Sequence, residues 1–444
     1  MFSDFFVVIV GILFGTMSGL LPGIGTSISL IISTPFLIQL EIHQMFLFYM
    51  AILSTAQYTG TIPSIFLNIP GESNSMPAVI EGSKFRRRKL SSLAIGLCAV
   101  GSLFGSLIAI VLTLGILPVA IEGFKIFLQD NFKILLFAIV FGAGMFAFNN
   151  KKFLLNGALL VLGYFLSMIG IDDINGVYRY TAGIESLENG IPFYPLIIAL
   201  MVSPVLSKTI IQEHNMVFIN EKITSFYKVL VFFIKNIMSA IRGAVIGFFS
   251  ALAPGFGTLL SSNASYAVES KMQKNYPAKK LLSSETANNS GGFALILPFV
   301  LIGIPLTGSE FILYNYLVEA GWSPFQFENL EENAIMLMYN LVPWFVFVNL
   351  IALIIAWPLA KTVITLMTKM KGYLNFFIAG ICLATTVYLG LSDYQLVYYL
   401  TCLILFSILT VKFRTINFTP VLFSYILGTE LEFVLTRYLT IWTQ

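Results

Sequence analysis

Gly19-Leu-Leu-Pro-Gly-Ile-Gly-Thr26 returns 232 positions later as Ala251-Leu-Ala-Pro-Gly-Phe-Gly-Thr258, and Gly11 and Gly15 fall on Gly243 and Gly247 at the same spacing. Two more pairs follow in the same order: Thr55-Ala-Gln-Tyr-Thr-Gly60 with Thr286-Ala-Asn-Asn-Ser-Gly291, and Ile191-Pro-Phe-Tyr-Pro195 with Ile416-Asn-Phe-Thr-Pro420. Chance Gly/Pro breaks would not keep both order and spacing, so the chain reads as a duplication. Residues 1–209 form one copy, 237–444 the other, and 210–236 the linker between them.

Both copies are apolar. Of 444 residues, 57% are hydrophobic and 11% charged, where a soluble domain carries about 25% charged residues. Mean hydropathy is +0.87. Apolar runs lie near 4–20, 26–40, 45–70, 90–120, 131–148, 153–170 and 191–209, then near 237–253, 257–270, 286–320, 334–360, 373–391, 395–411 and 417–436. Lipid admits only helices or closed barrels, and these runs lack the alternation of barrel strands. The expected fold is therefore an all-α polytopic membrane protein. The polar and aromatic linker is expected to lie along the interface. The start, MFSDFFVVIV, has no basic n-region or cleavage site and reads as a retained first span.

Charge sets the orientation of the copies. The first has Lys84-Phe-Arg-Arg-Arg-Lys89 where the second has Glu328, Glu331 and Glu332. Lys151 and Lys152 meet Asp393, while Asp172, Asp173, Glu185 and Glu188 meet Lys412 and Arg414. By the positive-inside rule, equivalent loops face opposite sides. The two repeats are expected to be inverted, with broken or re-entrant helices near the midplane, both termini outside and the linker cytoplasmic. Such an arrangement suits alternating access and offers less to a passive channel.

Other functions lack their residues. A charge of +3, from 25 basic and 22 acidic residues, is too scattered for nucleic acid. Cys98, Cys382 and Cys402 have no metal-like or disulfide-like spacing, and His43 and His214 cannot supply bis-histidine haem ligation within the bilayer. No cofactor or metal centre is expected beyond a coupling ion. A lipid-modifying enzyme would need clustered carboxylates, a His pair or a Ser/Lys dyad within the bilayer, and none is visible.

Pro22, Gly23, Gly25, Thr26 and Ser27, with Pro254, Gly255, Gly257 and Thr258, interrupt apolar runs and open new helices. Their N-termini can hold carboxylate oxygens; tight turns between spans are the structural alternative. Asn68, Pro70 and Gly71, with Ser73, Asn74 and Ser75 beyond, and Asn288 with Asn289 and Ser290, supply neutral donors and acceptors where charges are scarce. Packing contacts between helices are the alternative there. Glu285, with Ser290 and Gly291, is a candidate for the coupling ion, or else a helix cap; Glu72 and Glu310 follow the two Ile-Pro breaks. A charge at the bilayer centre costs about 2.5–3.5 kcal/mol. No Lys or Arg is expected deep in a span, which favours symport with a cation.

These residues carry a resemblance. Pro-Gly-x-Gly-Thr, Tyr58-Thr-Gly-Thr-Ile-Pro-Ser-Ile-Phe-Leu-Asn-Ile-Pro-Gly71, Glu285-Thr-Ala-Asn-Asn289 and the Ile-Pro after Gly303 resemble the large permease subunit of the tripartite tricarboxylate transporters, the TctA-like family, over 1–436. The second break departs from it, reading Ile304-Pro-Leu306 where the family tends to have Ile-Pro-Gly. The resemblance implies a cation-coupled importer of carboxylates such as citrate in a bacterial inner membrane. It also implies a small four-span membrane subunit and a periplasmic solute-binding protein as partners. A stand-alone permease or an exporter remains the alternative within this class.

Overall fold

Glycine and proline interrupt some of the helices, because one lacks a side chain to hold the helical backbone and the other lacks an N–H. The computed structural model describes residues 2–21, 25–67, 70–127, 153–171, 177–211, 223–252, 257–303, 305–322, 330–413, 416, 418–426, 428 and 432. The expected run at 131–148 lies outside them.

In the first half, α1 (Asp4–Leu20) starts on Ser3, whose hydroxyl accepts the Phe6 N–H at 3.3 Å. Beyond the Pro22-Gly23 step come α2 (Thr26–Ile32) and α3 (Thr34–Leu37). Next is α4 (Ile42–Thr59), opened by a capping box of Glu41 and Gln44. Gly60 separates it from α5 (Thr61–Phe66), and α6 (Met76–Arg87) and α7 (Ser91–Phe127) follow. The half closes with α8 (Phe153–Ser167), a two-stranded ribbon of β1 (Gly170–Ile171) and β2 (Tyr178–Arg179), α9 (Phe193–Ile197) and α10 (Ser203–Ile211).

The linker carries α11 (Phe226–Lys235), and the second half follows with α12 (Ile237–Ala251), α13 (Gly257–Met272), α14 (Pro277–Ala294), α15 (Ile296–Ile302), α16 (Gly308–Glu319) and α17 (Leu330–Ala356). It ends with α18 (Ala360–Ser392), α19 (Leu396–Lys412) and α20 (Thr419–Ile426). Two matching pairs have equal lengths, α4 and α14 with 18 residues each and α6 and α16 with 12 each, while α2 has 7 residues and α13 has 16.

Among the described helices only Ser91–Val119 and Ile335–Ala356 are by themselves long and apolar enough to cross a membrane; α11 with α12 would make a third, but they bend by 73°. Several apolar runs are divided, the 45–70 run at Gly60, and the run expected over 286–320 falls into three helices.

Close approach between helices depends on glycine. Gly11 lies against Phe48 and Ala51, Gly15 against Ile52, and Gly19 against Ala56. The numbers rise together, so α1 and α4 run parallel, with α2 and α3 as the return. In the second half Gly243 lies on Ser283 and Gly247 on Ala287, so α12 and α14 are parallel too, with α13 between. Small residues that let backbones touch are the usual means of helix association in lipid.

By their contacts the residues form two units, 1–121 with 214–372 and 122–213 with 373–444. Each draws on both halves of the chain. The first has a core around Tyr58, Ile62, Cys98, Leu281 and Trp357. In the second, Gly163 of α8 abuts Val421 of α20, Tyr425 Oη donates to the Ile191 carbonyl at 2.6 Å, and Arg179 pairs with Glu432. Phe193 is also stacked on Tyr425 at 6.4 Å.

Glu310 belongs to this framework. Its Oε2 accepts the N–H groups of Leu306 at 2.7 Å and Thr307 at 3.0 Å, completing a capping box that starts α16. Glu310→Ala is expected to cost about 1–2 kcal/mol, seen as a lower thermal midpoint of the purified protein.

Candidate substrate-binding site

Gly25 has φ of 20°, and Thr26 after it is the first residue of α2. That N-terminus is already engaged: Glu72 Oε1 accepts from Thr26 N at 3.2 Å and Thr26 Oγ1 at 3.1 Å. Two residues on, in the turn Ser73–Ser75, Asn74 reaches across to the second half. Its Nδ2 lies 3.1 Å from Glu72 Oε2, 3.1 Å from Thr258 Oγ1 and 3.0 Å from Asn288 Oδ1. An amide has two protons, so three acceptors compete for them. The Asn74 carbonyl accepts from Ser262 Oγ at 2.7 Å, and Gln57 Nε2 donates to the Asn288 carbonyl at 3.2 Å. Apart from Glu72 these groups are neutral, with both donors and acceptors turned on one spot.

The spot lies midway along α14 and α15. Near the start of α14, buried Glu81 accepts from Lys84 Nζ at 2.6 Å and Tyr266 Oη at 2.9 Å, with Lys280 Nζ at 3.9 Å. Toward the far end, Thr34 Oγ1 meets Tyr316 Oη at 2.6 Å, Tyr49 Oη meets Ser309 Oγ at 3.3 Å, and Phe46 packs on Phe299 at 5.6 Å. At 1.5 Å per residue, Lys280 to Asn288 is about 12 Å and Asn288 to Phe299 roughly 16 Å. Together that approaches the ~30 Å of a hydrocarbon core. Phe46 sits beside Phe299 and Gln57 beside Asn288, so α4 and α14–α15 pass in opposite senses.

Of the expected residues, Thr26, Thr258 and Asn288 come together here. Gly25 and Ser27 flank Thr26 at the start of α2, Pro70 and Gly71 precede Glu72, and Gly257, with φ of 49°, precedes Thr258. Gly71 is enclosed by Gly19 and Gly60, and Gly257 faces Thr307. Pro22, Gly23, Asn68, Pro254 and Gly255 lie outside the described residues. Asn289 points elsewhere, its Nδ2 donating to Ser102 Oγ at 2.7 Å and the Glu285 carbonyl at 3.1 Å. Ser290 donates to the Ala244 carbonyl at 2.8 Å, and Gly291 lies against Ser261, so both serve contacts of α14 with its neighbours.

Glu285 is in the middle of α14, fully buried, and so does not cap that helix. Neither of its carboxyl oxygens, nor Asn289 Oδ1, has a hydrogen-bond partner among the described residues. Arg242 lies in the second turn of α12, near its start. Its Nη2 is bound 2.9 Å from each Glu269 oxygen, so this cation is already paired. Gln57 and Ser262 sit in no motif that singles them out. One signal was present, since Gln57 aligns with Asn288 in the second sequence pair.

Residues 5–423 match the tripartite tricarboxylate transporter TctA family. An uncharacterized 52.8 kDa protein of the TAR-I ttuC' 3' region of Agrobacterium vitis is 24% identical over 322 residues, covering 71% of this chain and 64% of that protein. The match thus spans just under two thirds of the relative's length. No solved structure matches the chain. Matched from residue 5 to residue 423, with the Thr26, Glu72, Asn74 and Asn288 cluster within that stretch, this chain belongs to the tripartite tricarboxylate transporter TctA family.

Proposed function

We propose that this chain is the permease subunit of a secondary active transporter for small carboxylates, citrate or other di- and tricarboxylates. It would work by alternating access with a co-transported Na⁺ or H⁺. The observation that carries this reading is the Asn74 amide, shared between Glu72 and the second-half residues Thr258 and Asn288, midway between two closures. Inverted repeats are the arrangement that best accounts for it. The equivalent helices α4 and α14 pass in opposite senses, and the equivalents Gln57 and Asn288 touch each other, as residues beside a two-fold axis do. Opening the Glu81 closure or the Tyr316 closure would then expose one site to either side.

Glu72 gives a physical reason for coupling. A substrate carboxylate taking the Thr26 N–H and the Asn74 amide would lie beside the Glu72 carboxylate. Two like charges 4 Å apart at an effective dielectric constant near 20 repel by about 4 kcal/mol, roughly a thousandfold in affinity. A cation or proton bound with the substrate removes that penalty, so the two travel together. Glu285 is the second candidate for the coupling ion: a carboxyl in a span with no protein donor holds either its own proton or a cation. The small four-span subunit, the solute-binding protein and the bacterial inner membrane belong to this proposal.

The test is uptake of labelled di- and tricarboxylates into proteoliposomes containing all three subunits, under imposed Na⁺ or H⁺ gradients. Glu285→Gln is expected to keep substrate counterflow and to lose gradient-driven accumulation. Accumulation by the variant at the wild-type level would remove Glu285 from the coupling role.

A further inference from the structure

Beside the first unit's membrane-entry helices is a pocket of about 830 Å³ away from the substrate site. Its walls come from the start of α7 and from α11. Three lysines line it, Lys89, Lys228 and Lys235, with Leu93 and Phe232 deeper in, and no carboxylate is among its lining residues. Lys228 and Lys235 are seven residues apart on α11 and so share one face. The helix bends 73° into α12, the posture of an amphipathic helix lying along a membrane surface.

The pocket's walls are held in place by the fold. Lys89 holds a left-handed backbone with φ of 57°, a helix-end position that glycine or asparagine would occupy with less strain. The segment before α11 is pinned to α7, as Thr224 N donates to Ser92 Oγ at 2.8 Å. Lys84 and Arg86 of the same basic run are otherwise engaged, one with Glu81 and the other with the Phe66 carbonyl at 3.0 Å.

We infer that this pocket binds the phosphodiester headgroup of an anionic glycerophospholipid from the adjoining leaflet. The three ammonium groups face the phosphate, and Leu93 and Phe232 take the first methylenes of its acyl chains. Basic pockets at the cytoplasmic boundary of membrane helices recognise such headgroups by charge. The inference requires only that the chain lie in a membrane, and not the transport reading.

Purified full-length protein in mild detergent, titrated with phosphatidylglycerol or phosphatidylcholine and followed by native mass spectrometry, tests it. One phosphatidylglycerol per chain is expected to persist where phosphatidylcholine does not. The double variant Lys228→Gln with Lys235→Gln is expected to weaken phosphatidylglycerol binding roughly 30-fold, while Lys228→Arg with Lys235→Arg retains it. Glycerol 3-phosphate, the headgroup phosphate without chains, is expected not to displace the lipid at equal concentration. Equal retention of both lipids, an unchanged affinity in the glutamine variant, or displacement by glycerol 3-phosphate would each overturn the assignment.

Discussion

Asn74→Ala is expected to reduce carboxylate uptake by roughly 100-fold while leaving the protein folded and in the membrane. The substitution removes one Nδ2 that serves Glu72, Thr258 and Asn288. Leaving a buried polar group without its partner costs about 1–3 kcal/mol, and two such losses approach 3 kcal/mol, or about two powers of ten. The backbone carbonyl that accepts from Ser262 is untouched, so the turn itself survives. Asn74→Asp is expected to be worse, because a second carboxylate would face Glu72. Initial rates in proteoliposomes, with chromatography of the same preparation to show that it is folded, make the measurement. Uptake within threefold of wild type would detach Asn74 from the site.

Gly247→Leu is expected to abolish folded protein altogether. A Cβ at Gly247 would overlap the carbonyl and Cα of Ala287, which are backbone atoms and cannot rotate away. The larger side chain must push α12 off α14, and that pair supports Asn288 one residue beyond the contact. Overpacking a tight core costs about 1–3 kcal/mol for modest additions, and a whole isobutyl group against backbone exceeds that range. Gly247→Ala is expected to be milder, with lower yield and an earlier thermal midpoint. The contrast with Gly115, where nothing lies within 4 Å of an added Cβ, gives the control: Gly115→Ala should leave both unchanged. Membrane-extracted yield and fluorescence-detected chromatography of the three variants report the outcome.

The amino-acid sequence alone determined a great deal. Its shortage of charge required lipid, because so few polar side chains cannot cover a water-soluble surface. Its two Pro-Gly-x-Gly-Thr breaks placed Thr26 and Thr258 at helix starts, since proline and glycine act on their own backbone wherever they stand. Tertiary structure decided which polar groups share a place. Asn288 and Asn289 are neighbours in sequence, yet a helix turns about 100° per residue, and one faces Asn74 while the other faces Ser102. Ser290 and Gly291 went to helix contacts, and Glu72 took the N–H that a substrate was expected to find free, because these outcomes depend on which helix lies opposite. That partner is set by packing between segments more than 180 residues apart, as in Asn74 with Thr258, and no local pattern encodes it.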